Sequence, residues 1–333
     1  MQSNIVRRYS DPGEYITDCK WSKADLCITA RGHFSSKRTR VSLPRVLLHR
    51  YSEALPRVGH IVHAPDRALF MFATRTGPSW FTGATEILPG AILRFGKEDQ
   101  SFQRSTGRFE FGAASMSIDE IETIGATYGA GDFKPPQNTL IVTTTPAAMV
   151  RLQRIHAMAG ELAEHVPEVI GVPQAARGLE QALLAALGDC LHAPGNDGRA
   201  LGSHHRNTIM RRFYALLGEH PDGVLHTLEI CKAIRVSNRT LTTCCNETLG
   251  MGPHRYLKLR QLHLARRALR LADPTARTVT EIATEHGFWD LGRFAAAYRE
   301  LFGELPSVTL SQGVEAAPIA WEPQDFMLAS EIT

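Results

Sequence analysis

Apolar residues in the first third of the chain come in short runs separated by turn residues. The runs are Leu26–Ala30, Val41–His49, Gly59–His63, Ala68–Thr74, Ala91–Phe95 and Arg108–Ser117. Strand-sized runs recurring at about 10–15 residues predict an all-β sandwich or small barrel, here a jelly-roll-like, cupin-like domain. Ala68-Leu69-Phe70-Met71-Phe72-Ala73 is apolar throughout, and Leu88-Pro89-Gly90-Ala91-Ile92-Leu93 has the form of a turn feeding a strand.

Beyond residue 117 the apolar period lengthens to that of helices. Ile118–Gly125 is a short helix candidate, and the Gly/Pro segment 129-GAGDFKPPQN-138 closes the β region. Thr145 is suited to cap a helix with Pro146 at its first position. That helix is expected to reach about His165, with Met149, Leu152, Ile155, Met158, Ala159 and Leu162 on one face. A second helix is expected from about Gln174 to Leu191, with Leu179, Leu183, Leu184 and Leu187. Such helices pack on each other, fold onto the β domain, or meet a second copy across a two-fold axis. The polar, Gly-rich stretch 193-APGNDGRALGSHH-205 reads as an interdomain linker.

The last third holds an internal repeat. In 276-ARTVTEIATEHGFWDLGRFAAAYRELFGELPS-307, a short helix Val279–Glu285, a turn at His286-Gly287-Phe288, an N-cap at Asp290 and a second helix Leu291–Phe302 follow in order. Gly303 and Pro306 end it. About 52 residues earlier, 226-HTLEICKAIRVSNRTLTTCCNETLGMG-252 repeats the pattern. Glu229-Ile230 aligns with Glu281-Ile282, Val236 with Phe288, Ser237 with Asp290, Leu241 with Phe294 and Gly250 with Gly303, and the turn is one residue longer in the second copy. An opening helix Asn207–His220 precedes the first unit, and 253-PHRYLKLRQLHLARRALRLA-272 forms a long helix between the two. At ~1.5 Å per residue that spacer approaches 30 Å, enough to hold two recognition helices about one DNA turn (~34 Å) apart.

Composition sets the limits of this picture. A chain of 333 residues has room for two or three domains, and 43% apolar with 21% charged residues is ordinary for a globular chain. No apolar run approaches the ~20 residues of a membrane span, and MQSNIVRRYSDPGEY has no signal-peptide core. Six scattered cysteines without a CxxC pair fit reduced thiols in a cytoplasmic protein. The whole-chain charge is +3, but His204–Leu310 carries 15 Lys/Arg against 10 Asp/Glu, a net +5 in the segment that holds the repeat. That favours a nucleic-acid partner, with a solvated basic face as the alternative.

Catalytic chemistry finds few residues to rest on. No G-x-S-x-G, P-loop or H-E-x-x-H is present, and no H-x-H falls on a candidate strand. His60 and His63 are three apart, so on a strand they face opposite sides. No metal or other cofactor is expected. Phe70, Phe72, Trp80 and Phe95, with Phe81, are candidates to line a small-molecule pocket in the β domain, although for any one of them core packing is the stronger account. Arg75, Arg94 and Glu86 are candidate polar anchors.

The stretches 237-SNRTL-241, 249-LGMGPHRYLKLRQLHLARRAL-269 and 281-EIATEHGFWDLGRFAAAYRELFGELPS-307 resemble the C-terminal domain of the AraC/XylS family of bacterial transcription regulators. The resemblance covers about 100 residues and is densest in the last stretch. It implies DNA binding through the N-terminal residues of both recognition helices: Asn238, Arg239, Thr242 and Thr243 in the first, Leu291, Gly292, Arg293 and Ala296 in the second. Arg239 suits a guanine edge, and either Arg suits a phosphate. Gly292 and Ala296 carry no donor, so the second unit is expected to bind shape and backbone more than sequence. The N-terminal half resembles the sensor half of a subgroup that includes the ethanolamine-utilisation regulators, on Phe34, Val41–Tyr51 and Trp80 with Ile87–Gly90.

The expectation is an α+β, two-domain, non-enzymatic activator. Residues 1–195 form the sensor and dimerisation domain, 196–205 a linker, 206–315 the DNA-binding domain and 316–333 a tail. Its partners are promoter DNA, a small-molecule effector, RNA polymerase and a second copy of the chain. Two alternatives stay open: a constitutive regulator whose β domain only dimerises, and a cupin enzyme with an appended DNA-binding domain.

Overall fold

A computed structural model describes residues 4–17, 22–96, 100–128, 133–192, 198–200, 204–220 and 223–313. The chain opens with β1 (Ile5–Tyr9) and α1 (Pro12–Thr17). The strands β2 (Ser22–Ile28), β3 (Ser36–Ser42), β4 (Val46–Glu53), β5 (Arg57–His63) and β6 (Arg67–Ala73) follow. Next come β7 (Trp80–Thr82), β8 (Thr85–Ile87), β9 (Ala91–Arg94), β10 (Gln100–Ser105) and β11 (Phe109–Ser117). A 3-10 turn at Ile118–Glu120 leads into α2 (Ile121–Tyr128), β12 (Leu140–Thr143), α3 (Pro146–His165), α4 (Pro167–Gly171), α5 (Pro173–Leu191) and β13 (Arg199–Ala200). The remainder is helical: α6 (His204–Glu219), α7 (Thr227–Ile234), α8 (Asn238–Leu249), α9 (Pro253–Leu271), α10 (Val279–Glu285), α11 (Leu291–Phe302) and α12 (Pro306–Gln312).

The β region is two antiparallel sheets, in the order β1-β3-β4-β11-β6-β9-β12-β13 and β2-β5-β10-β7-β8. The expected run Val41–His49 is divided by a hairpin in which the Leu43 N–H donates to the Val46 carbonyl at 3.0 Å, so it holds the end of β3 and the start of β4. Strands β1, β7, β8, β10, β12 and β13 lie outside the expected runs. Arg199 and Ala200, expected in a linker, pair with Ile141 and Leu140 at the edge of the larger sheet. Residues 193–197 and 201–203 of that linker, Cys19 and the tail 316–333 lie outside the described residues.

The layers follow from strand alternation. One face of the larger sheet sends Leu48, Phe70, Phe72, Ala114 and Met116 against α2, α3 and α5, where they meet Leu152, Leu183 and Leu187 in one buried cluster. Thr145 caps α3 by accepting from the Ala148 N–H at 3.3 Å, with Pro146 in the first turn. The helical hairpin thus folds onto its own sheet. The other face of the larger sheet looks across a cavity to the smaller sheet. The outer face of the smaller sheet, through Cys27, Val58 and Phe102, joins the core of α6, α7, α8 and α9. A further core, within α9–α12, centres on Phe294, Tyr298, Ala265 and Leu269.

Candidate nucleic-acid interface and sensor cavity

Both repeats fold as helix-turn-helix units with local signals at matching places. Ser237 caps α8 by accepting from the Thr240 N–H at 3.0 Å, and Asp290 caps α11 by accepting from the Arg293 N–H at 3.0 Å. The helices α8 and α11 are 12 residues each, and each ends on a left-handed glycine, Gly250 (φ 72°) and Gly303 (φ 81°). The turns differ: the first uses Arg235 at φ 56°, the second Gly287 at φ 82°. A non-glycine residue held there is uncommon.

The faces expected to meet DNA are open. Asn238, Arg239 and Thr243 are exposed, and Thr242 is half-buried with its hydroxyl 3.4 Å from Asn238 Oδ1. Among the described residues Arg239 enters no ion pair. In the second unit Leu291, Gly292, Arg293 and Ala296 are all exposed. Arg293 leans back on its own N-cap, with Nε 3.2 Å from Asp290 Oδ2. Ile230, Leu241, Ile282, Phe288 and Phe294 are buried core, as their apolar periodicity predicts. Sequence reasoning treated Trp289 only as part of a motif. It is 85% exposed immediately before the α11 cap, which its place in the sequence does not announce.

The sensor half grips the DNA-binding half at two places. On the smaller sheet, His60 and Phe102 stack on Tyr214 of α6 at 4.4 and 5.6 Å between ring centroids. Arg104 lies over the Phe81 ring, 3.7 Å from its centre, and its side chain abuts Gly250 at the C-terminal end of recognition helix α8. On the spacer helix α9, Arg266 donates to Asp11 Oδ2 at 3.2 Å, and Arg270 reaches Asp11 and Glu14 at 2.7 and 2.8 Å. Arg260 meets Asp25 at 3.4 Å, and His263 donates to the Ile28 carbonyl at 3.1 Å. Part of the basic excess expected to face nucleic acid is therefore matched by acids of the sensor half. Burial, chiefly, holds the His60 and His263 pKa values below the ordinary imidazole range.

Between the sheets lies a cavity of about 100 Å³. Phe70, Phe72, Trp80 and Phe95 do not line it. Phe70 and Phe72 project to the helices, and Trp80 and Phe95 sit in a neighbouring core. Their strand neighbours Leu69 and Met71 face the cavity instead, with Phe111 and Ala113 of β11. The run 68–73 is apolar on both faces because both faces are covered, so apolarity alone could not say which residues face inward. Polar groups converge on the cavity from several strands: Arg38, His49, Arg57, His63, Arg67 and Gln103. His63 lines it while His60 faces α6, the opposition expected from their spacing. Tyr15 of α1 reaches in and donates to Glu53 Oε1 at 2.5 Å, and Arg57 Nε donates to Glu53 Oε2 at 2.8 Å. Burial and the nearby Arg38, Arg40 and Arg67 push the His49 pKa down to about 3. His156 behind it donates to the His49 carbonyl at 2.9 Å, and burial lowers its pKa to about 4. The cysteines Cys27, Cys190, Cys231, Cys244 and Cys245 are free and buried, and burial raises their thiol pKa values. Among the described residues, no cluster of His, Cys, Asp or Glu suits a metal ion and no helix is long and apolar enough to cross a membrane.

Two capped helix-turn-helix units on one rigid spacer, packed on a double-sheet domain, define a two-domain DNA-binding protein. Residues 230–312 match the family described as "Helix-turn-helix domain" (HTH_18). The chain is 34% identical over 105 residues to the XylDLEGF operon transcriptional activator 2 of Pseudomonas putida, a match covering 32% of this chain and 67% of that protein. It is 37% identical over 102 residues to the probable thc operon regulatory protein of Rhodococcus erythropolis, covering 31% of each. It is 47% identical over 77 residues to the P. putida XylDLEGF operon transcriptional activator 1, covering 22% of this chain and 23% of that one. The match thus spans about two thirds of the first relative and under a third of the other two. Among solved structures, the AraC-like transcriptional activator CuxR is similar with a TM-score of 0.40 at 15% identity, covering 78% of this chain and 94% of that one. ToxT from Vibrio cholerae gives 0.27 at 11% identity, covering 89% and 100%. The chain belongs to the AraC/XylS family of DNA-binding transcription regulators.

Proposed function

We propose that this protein is a cytoplasmic, non-enzymatic transcription activator that reads promoter DNA with both helix-turn-helix units and senses a small molecule in its β domain. The observation that carries this is the pair of open recognition faces held on one spacer whose flank is bound by the sensor half. Asn238, Arg239, Thr242 and Thr243 carry most of the base readout, with Arg239 bidentate to a guanine. Leu291, Gly292, Arg293 and Ala296 hold backbone and shape, and Trp289 adds an apolar surface against sugar or a thymine methyl group.

The coupling runs through strand β10. Its residues alternate, so Gln103 faces the cavity while Phe102 and Arg104 face α6 and α8. A second connection runs through α1 and the residue before it, where Tyr15 faces the cavity and Asp11 and Glu14 hold α9. A ligand with different affinity for the docked and undocked arrangements shifts the balance between them. The relatives named as activators support activation, and hence a contact with RNA polymerase. Exposed Val150 and Met158 on α3 supply a surface for a second copy. The test is selection of bound sequences from random DNA with the full-length chain, followed by footprinting. Two adjacent protected major-groove segments about 10 base pairs apart are expected. A single protected segment, or no enrichment, refutes the two-unit reading.

A further inference from the structure

We infer that the larger sheet carries a ligand site outside the space between the two sheets. It is a polar cleft beneath the C-terminal end of α3. Its ligand is a small zwitterion of the amino-acid kind, with the carboxylate held by Arg50 and Ser52 and the ammonium by Glu161. The inference stands apart from what the cavity between the sheets holds.

Strand register builds the cleft. On the face that meets α3, the row Val41–Leu48–Ala114 across β3, β4 and β11 belongs to the apolar core. The next row along is Thr39–Arg50–Gly112, and the one after it is Lys37–Ser52–Glu110. Alternation keeps all three rows on one side of the sheet. The surface under α3 therefore turns from apolar to polar at one level in three neighbouring strands. The roof turns with it, since α3 sends Ala159 and Ala163 to the core but Glu161 and Glu164 to the cleft. Gly160 lets the helix close over Arg50, where an added carbon would lie 3.1 Å from its Cδ. Floor and roof enclose about 370 Å³, within the range of small-molecule sites.

Most charges around this space already engage one another. Lys37 and the Thr39 hydroxyl donate to Glu164. Arg75 and Arg108 both donate to Glu110 Oε1, at 3.4 and 3.1 Å. The exceptions lie on the floor and the roof. Arg50 acts electrostatically on Glu164 and His156, yet among the described residues its guanidinium makes no hydrogen bond or ion pair. The same holds for the Ser52 hydroxyl and the Glu161 carboxylate. A half-buried guanidinium with idle donors suits the planar fork of a carboxylate. The charges are close to balance, with Lys37, Arg50, Arg75 and Arg108 against Glu110, Glu161 and Glu164. A bare anion meets the carboxylates and a bare cation meets the basic groups, whereas a zwitterion brings each of its charges to an idle partner. Among the described residues no apolar side chain lines the cleft, so the ligand carries no large apolar body. Arg75 and Arg108 are exposed and weakly paired, and they can turn onto the bound carboxylate.

The experiment is calorimetric titration of the full-length chain with the common L-amino acids. Each one that binds is compared with its amide, which lacks the carboxylate, and with the matching 2-hydroxy acid, which lacks the ammonium. At least one small polar amino acid is expected to bind about tenfold or more tightly than both. Arg50→Gln and Glu161→Gln should each remove most of that preference, with circular dichroism checking the fold. Glu161 is exposed, so its variant keeps the test open even if the one at Arg50 does not fold. A ligand of the cavity between the sheets is indifferent to Glu161, which does not line that cavity. Absence of binding, an amide or hydroxy acid that binds as tightly, or an affinity unchanged in Glu161→Gln overturns the inference.

Discussion

The two helix-turn-helix units match in length, caps and terminal glycines, and they differ in what surrounds them. The core of the first extends into the sensor half, because Cys27, Val58 and Phe102 pack with Leu241, Tyr214 and Tyr256. The core of the second is confined to α9–α12. The first also carries the more polar recognition-helix face, with Asn238, Arg239 and Thr243 exposed, while the second offers Gly292, Ala296 and an arginine paired to its own cap. The polar recognition-helix face and the apolar core shared with the sensor half therefore fall on the same unit, while the second unit meets the sensor half through the ion pairs of Arg266 and Arg270. A duplicated element has kept its local signals in different surroundings.

The widest test of that contrast is a matched pair of core truncations. Leu241→Ala and Phe294→Ala should each cost about 2–5 kcal/mol of stability, read by urea denaturation. Leu241→Ala should also speed hydrogen exchange in β10, and Phe294→Ala should leave it unchanged. Equal effects on β10 would mean that the two cores are not separate.

Acid acts next, on the sensor and its junctions. His49 and His156 are neutral in the fold down to about 3 and about 4, and His60 and His263 are shifted the same way. In the unfolded chain each takes up a proton near pH 6.5, so below that pH the unfolded state binds more protons. Stability is present in full above about pH 6.5 and falls as pH drops, on the order of 2 kcal/mol per fully buried ring by pH 5. Urea midpoints at pH 7.5 and 5 measure it, and His156→Gln should flatten the dependence.

Substitution of the two groove arginines sharpens the difference in readout. Arg239→Ala should cost about 1–3 kcal/mol of affinity for the selected site and little for random DNA. Arg293→Ala should weaken both alike. Equal loss of discrimination would remove the asymmetry.

The smallest effect separates the two terminal glycines. Gly250→Ala and Gly303→Ala both force alanine into a left-handed turn, at about 1 kcal/mol each. Around Gly303 there is open space, but an added carbon at Gly250 would lie 2.9 Å from the Arg104 side chain. Only Gly250→Ala should loosen the docking of the smaller sheet, seen as faster exchange of β10 amides.

Much of the DNA-binding half was legible because its signals are local. Ser237, Asp290, Gly250 and Gly303 each act within a few residues of themselves, and structure puts each where the repeat required. The hairpin α3–α5 was legible for the same reason, from Thr145 and a regular apolar face. The sensor half was legible as β but not in detail. Strand β10 reads QSFQRS, polar at the positions that face the cavity, so no apolar run marks it. The cavity-lining residues were missed because a strand covered on both faces gives no sign of which face meets a pocket. The docking contacts of Asp11, Glu14 and Arg104 join residues far apart in the chain, and nothing local in the sequence announces them.

Strand β10 sorts its residues by parity. Ser101, Gln103 and Ser105 face inward, and Gln100, Phe102 and Arg104 face outward. A substitution at Gln103 alters the cavity without touching the docking face, and those at Phe102 and Arg104 do the reverse. Selection can thus retune what the domain senses and how it reports it as separate traits, although both are written on one six-residue strand.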